Sequence, residues 1–169
     1  LRSRLYDDQA DLVKVILEAL EIFQRVGGRV VSLTGLIPSA TNYGQAIADV
    51  ISRNDRCPLV TTGHATTVST VVLTIERILR EGGKSLAEEN VAFLGLGSIG
   101  YTTLRLLLHS LPHPKSITIC DIYSKLDHLK KVRNDLIHEL QFQGLIQIVE
   151  SKGKVPREVY DAGLIVGAT

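Results

Sequence analysis

Six residues carry the clearest chemical signal in the chain: Gly95-Leu96-Gly97-Ser98-Ile99-Gly100. Their spacing suits a strand that turns sharply into a helix, with a separate role for each glycine. Gly95 makes the tight turn, Gly97 leaves a position without a side chain where a pyrophosphate can approach, and Gly100 lets helix and strand pack closely. A helix beginning there presents backbone amides and a partial positive charge to a doubly anionic pyrophosphate, and no lysine is needed. Gly95, Gly97, Ser98, Ile99 and Gly100 are therefore the candidate cofactor-binding residues. Glycine spacing alone is weak, but here the apolar run Val91 to Leu94 precedes it and a leucine-rich stretch follows.

Asp121 closes the next apolar run, about twenty positions beyond the loop, where a carboxylate can accept hydrogen bonds from the adenosine ribose. Its charge would repel a 2′-phosphate, so NAD(H) is favoured over NADP(H), although Lys125 nearby leaves the other cofactor open. A solvated strand end is the plainer reading of Asp121. Ala168, within Gly167-Ala168-Thr169, stands where a fourth strand would reach the cofactor, and a structural turn accounts for it equally well.

A second group could meet substrate. Thr61-Thr62-Gly63-His64 places hydroxyls, a glycine and an imidazole at the start of a long helical pattern, a setting suited to an anionic or carbonyl oxygen. Thr62, Gly63 and His64 are the candidate substrate-binding residues, and His64 is the one weak catalytic candidate. The alternative is a helix capped by Thr62 or Thr66, with His64 in solvent. His109, His113, His128 and His138 have no carboxylates arranged to complete a metal-ligand set, so no metal is expected. Neither Cys57 nor Cys120 stands in a thiolate-stabilising context.

These groups must be positioned by surrounding elements. Leu12, Ile16, Ala19, Leu20 and Phe23 recur at helical spacing between Asp7 and Val26, and Arg29 to Leu33 reads as a strand. A loop around Pro38 leads to a short helix at 45–52, and Pro58 to Thr62 is a second strand. A long helix follows, with Val68, Val71, Val72, Ile75, Ile78 and Leu79 on one face. Ser85 with Glu88 has the pattern of a capping box. Beyond Asn90, strands at 91–94, 116–120, 145–149 and 163–166 alternate with helices at 98–109 and 125–141, which implies a parallel sheet. The predicted fold is α/β: a partial Rossmann-type parallel sheet with helices on both faces, preceded by an N-terminal α/β segment. The boundary is predicted near 84/85, giving segments 1–84 and 85–169.

With 169 residues, 44% hydrophobic and 22% charged, the chain can bury a core, and its formal charge of +1 offers no electrostatic footprint for nucleic acid. Two cysteines suit a reducing cytoplasm, and no stretch approaches the roughly 20 apolar residues of a bilayer span. No signal-peptide run follows Leu1-Arg2-Ser3-Arg4. The absence of methionine, initiator included, reads as a segment of a longer protein.

The ordered series Gln24-Arg25-Val26-Gly27, Leu33-Thr34-Gly35, Thr61-Thr62-Gly63 and Val91 to Gly100 resembles the cyanobacterial long-chain acyl-[acyl-carrier-protein] reductases. The likeness runs from Phe23 to Thr169. It implies reduction of an acyl thioester to an aldehyde, with hydride from a nicotinamide and the acyl group held on an enzyme cysteine. In three respects the chain departs from that pattern. Neither Cys57 nor Cys120 matches the family's nucleophile, which belongs downstream of Thr169. Asp121 stands where those NADPH-dependent enzymes have a basic residue after the strand. The loop continues with His64 rather than asparagine. At fold level the layout is also similar to shikimate-dehydrogenase-like and glutamyl-tRNA-reductase-like proteins.

The expected function is the NAD(P)-binding core of an oxidoreductase acting on a carbonyl or acyl thioester. Its partner would be a small-molecule or acyl-carrier-bound substrate, with no nucleic acid and no integral membrane contact; association into a homo-oligomer stays open. The alternatives are a non-catalytic NAD(H)-binding module and a shikimate-dehydrogenase-like alcohol dehydrogenase.

Overall fold

The computed structural model describes residues 8–42, 44–54, 57–122, 126–151 and 153–168. Expectations that fell on Leu1-Arg2-Ser3-Arg4, Asp7, Lys125 and Thr169 lie outside the described residues. Two compact units divide the chain, Leu1–Ala65 and Thr66–Thr169.

The N-terminal unit opens with α1 (Gln9–Arg25), whose N-cap Asp8 accepts from the amides of Ala10 and Asp11 at 3.0 and 3.1 Å. That carboxylate satisfies two donors the first turn would otherwise leave open. The apolar stripe of α1 buries Leu12, Ile16 and Leu20 against Leu33 and Ile47. Strands β1 (Val30–Ser32) and β2 (Leu59–Thr61) pair in parallel, Val31 opposite Val60. Between them lie α2 (Ile37–Ala40) and α3 (Gln45–Ser52). The loop expected around Pro38 is thus a short helix, since proline is tolerated in a first turn, where its missing N–H has no intrahelical acceptor to lose.

The second unit is built on one parallel sheet. Strands β3 (Asn90–Leu94), β4 (Ser116–Ile122), β5 (Leu145–Ser151) and β6 (Leu164–Gly167) stand in the order β5-β4-β3-β6. Counted from β3 this is 3-2-1-4, the beginning of the Rossmann-type order. Every pairing is parallel, with Phe93 beside Ile119 on one side and Val166 on the other. Central strands buried in this way read as apolar runs, and Val91, Ala92, Phe93, Ile117 and Ile119 are all essentially inaccessible.

Helices α4 (His64–Glu81), α5 (Ser98–Ser110) and α6 (Leu126–His138) complete that core. Val72, Ile75 and Leu79 of α4 join Leu104 and Leu107 of α5, and Leu129 and Leu136 of α6, in one cluster with the strands. This corrects the expected boundary. The division falls at 65/66 rather than 84/85, because the buried face of α4 belongs to the second core. Each fully buried Leu, Ile or Phe there contributes roughly 1.5–3 kcal/mol.

Two local expectations also change. Helix α6 stops at His138 instead of reaching Gln141, because the Phe142 amide reaches back to the Leu136 carbonyl at 2.9 Å while Gln141 takes φ 52°. That bond spans six residues and closes a wide turn beyond the helix end. Ser85 precedes a 3-10 turn, Leu86–Glu88, but its side chain makes no cap bond, so the capping box does not form.

Thr103 of α5 is fully buried, and its hydroxyl has no hydrogen-bond partner. A buried unpaired hydroxyl costs stability, and valine has nearly the same shape without it. Thr103→Val is therefore expected to raise unfolding stability by about 1 kcal/mol in urea denaturation. A loss of that size instead would mean that the hydroxyl is satisfied in solution.

Candidate functional site

At the end of β3 the chain turns directly into α5. The amide of Gly95 donates to the Cys120 carbonyl at 2.9 Å, continuing the β3–β4 ladder by one residue, and Gly95 then takes φ +85°. Side-chain-bearing residues avoid that conformation, so the turn calls for glycine. A Cβ on Gly100 would collide with the Gly95 carbonyl oxygen and stand 3.2 Å from the Ala168 Cβ. The first turn of α5 therefore lies directly on the loop and on the end of β6. Ala168 itself donates its amide to the Leu94 carbonyl at 2.8 Å.

Gly97 is different. It is the α5 N-cap with φ −65°, and nothing lies within 4 Å of where its Cβ would stand. With no cap side chain available, the α5 N-terminus opens onto that space. A first helical turn has amides without intrahelical acceptors and the positive end of the helix dipole. The chemistry it offers is to hold an anion.

Asp121, at the C-terminal end of β4, is 8% exposed, and its Oδ2 accepts from the Leu96 amide at 2.8 Å. It is not a solvated strand end. Its carboxylate ties the second strand to the middle of the glycine loop. His128, near the start of α6, reaches the same residue from another side, with Nε2 2.7 Å from the Leu96 carbonyl oxygen. A carbonyl only accepts, so Nε2 carries the proton there. Leu96 buries its own side chain completely in the core.

Beside this contact, Tyr101 of α5 stands edge-on to the His128 ring, with centroids 6.4 Å apart. Its hydroxyl donates to Asp135 of α6 at 2.7 Å and accepts from Arg105 at 3.0 Å, and Arg105 bridges on to Glu139 at 2.6 Å. Burial pushes the Tyr101 phenol up, so it stays a donor. The hydrogen bond to the Tyr101 oxygen, and then the one to Glu139, raise the Arg105 guanidinium.

The structure thus brings Gly95, Gly97, Ser98, Ile99, Gly100, Asp121 and Ala168 together where β3, β4 and β6 end. His128 belongs with them, and its position in the sequence does not reveal this: only the fold joins residues 32 apart. Cys120, next to Asp121, is buried, and burial, followed by the charges of Asp121 and Glu158, pushes its thiol up. It is poorly suited to nucleophilic attack.

Within the N-terminal unit, Thr62, Gly63 and His64 lead into α4. The Thr62 hydroxyl accepts from the His64 amide at 3.4 Å, a long contact of the capping kind. Thr62 also lines a cavity of about 550 Å³ beside α3, whose wall includes Gln45, Asn54 and the half-buried Cys57. Among the described residues no group of three or more His, Cys, Asp or Glu side chains could hold a metal ion. No helix among them is long and apolar enough to cross a membrane.

No protein-family model matches the chain, and no curated protein matches it. Similar solved structures include shikimate 5-dehydrogenase from Listeria monocytogenes in complex with shikimate and NAD, at 13% identity and a TM-score of 0.44. That likeness covers 92% of this chain and 55% of the other, so the chain spans about half the length of that protein.

The two helix-side glycines should respond differently to a methyl group. Gly100→Ala is expected to cost about 2 kcal/mol or more, because backbone must move to admit the methyl. Gly97→Ala should stay within about 0.5 kcal/mol of the parent in chemical denaturation. Equal costs at the two positions would contradict the loop geometry.

Proposed function

We propose that the second unit is the NAD(P)-binding core of an oxidoreductase, with the pyrophosphate of the dinucleotide at the N-terminus of α5. The observation that carries this reading is the open space over Gly97 at an α5 N-terminus without a capping side chain. A phosphate group fits there, because the space a Cβ would fill is empty and the helix end favours negative charge. Gly95, Gly97, Ser98, Ile99 and Gly100 would hold the pyrophosphate, with Ala168 bordering the site. When bound, the nicotinamide supplies or accepts a hydride.

NAD(H) is the favoured cofactor in this reading, because the Asp121 carboxylate at the end of β4 would meet the adenosine ribose and repel a 2′-phosphate. The same carboxylate already holds the loop through Leu96, so it would serve loop and ribose together. The substrate is proposed to be a carbonyl compound or an acyl thioester, free or carrier-bound. The thioester version is supported by the sequence resemblance alone, and Cys120, raised by burial, is not proposed as its nucleophile. Thr62, Gly63 and His64 are assigned to substrate contact on their residue chemistry, and the cavity beside Thr62 supports that assignment.

Titration of the chain with NADH and NADPH, followed by calorimetry, tests the reading. NADH should bind, and more tightly than NADPH. Gly97→Ala should weaken NADH by about tenfold or more while the fold persists, since its methyl occupies the phosphate space. His64→Ala should leave NADH affinity unchanged. Preference for NADPH would overturn the role given to Asp121, and absence of binding to either dinucleotide would overturn the function.

A further inference from the structure

The peptide units on either side of Leu96 are gripped twice. Asp121 takes the Leu96 N–H at 2.8 Å, and His128 lies 2.7 Å from the Leu96 carbonyl oxygen. These side chains come from different elements, β4 and α6, and they act on the residue between Gly95 and Gly97. The Leu96 side chain is fully buried in the core, which fixes the same residue a third time. Glycine on both sides gives this segment wide backbone freedom, so an unheld loop would sample many conformations.

We propose that His128 is a positioning residue for the dinucleotide site: by donating from Nε2 to the Leu96 carbonyl, opposite Asp121, it pre-organises the glycine loop for the pyrophosphate. This rests on the reading of the loop as a dinucleotide site and adds the residue that sets its shape. Ligand binding is stronger when the loop has little conformational freedom left to lose. The ring is itself steadied by Tyr101, which meets it edge-on and is anchored through its hydroxyl to Asp135 on the same helix as His128. The loop's shape is thereby coupled to the packing of α5 on α6. The imidazole acts through Leu96 and is assigned no contact with the cofactor.

Two substitutions separate this role from general stability. His128→Leu removes the donor, whereas His128→Gln retains an N–H near the position of Nε2. Hydrogen exchange at the Leu96 amide of the ligand-free chain reports how firmly the loop is held, because that amide stays bound to Asp121 only while the loop keeps its shape. Exchange in His128→Leu should be about tenfold faster than in the parent, and His128→Gln should remain within about threefold, the range expected for losing or keeping one hydrogen bond. NADH affinity should follow the same order, about tenfold weaker in His128→Leu and largely restored in His128→Gln.

Unchanged exchange in His128→Leu would overturn the proposal whatever the affinities, and so would equal exchange in the two variants. Faster exchange with unchanged NADH affinity in His128→Leu would overturn the positioning role. Should the parent bind neither NADH nor NADPH while the exchange order holds, the hold on Leu96 stands and the dinucleotide reading falls.

Discussion

A helix can follow β3 after only Gly95, Leu96 and Gly97 because Gly100 brings its Cα against the Gly95 carbonyl. The site depends on this contact. It forces α5 to start where the strand ends, aims the positive end of the helix at the sheet's C-terminal edge, and leaves the surface of Gly97 uncovered. With a larger residue at position 100 the helix would have to move away from the loop and from Ala168, and the open space over Gly97 would change shape. Gly95 serves the same constraint from the strand side through its left-handed turn.

The rest of the second unit keeps that contact in register. Phe93 and Ile119 lie side by side in the centre of the sheet, and α4, α5 and α6 cover it with Leu79, Leu104, Leu107, Leu129 and Leu136. This apolar packing supplies the stability. The polar network from Tyr101 through Arg105, Asp135 and Glu139 contributes direction more than energy, since the Arg105–Glu139 pair is partly exposed. It fixes α5 relative to α6, and with it the imidazole that meets the loop.

How much of this was legible in the sequence depended on how local the cause was. The turn at Gly95 and the close packing at Gly100 are legible because φ and close approach are properties of single positions, and the glycine spacing encodes them. The alternating strands and helices were legible from apolar periodicity, which also located α5 to within a residue. The end of α6 was not, because the apolar residues of its stripe continue into a turn at Leu140 and Phe142 that closes on Leu136. The unit boundary was misplaced because Gly82-Gly83 signals a helix end, and a helix end need not separate two cores. The part played by His128 was hidden altogether: its ring reaches a backbone carbonyl on a distant loop, and side-chain-to-backbone contacts of that kind have no sequence pattern. The place of Asp121 at the end of β4 is legible from the apolar run before it, but its bond to Leu96 is not.

Gly97 and the first turn of α5 are proposed as the phosphate-holding surface. The most direct measurement is the change in backbone-amide chemical shifts as NADH is added. Saturable shifts are expected, largest at Leu96 through Gly100 and at Ala168 and smaller at Asp121 and His128. Saturable shifts confined to the N-terminal unit, or none at the glycine loop, would contradict it.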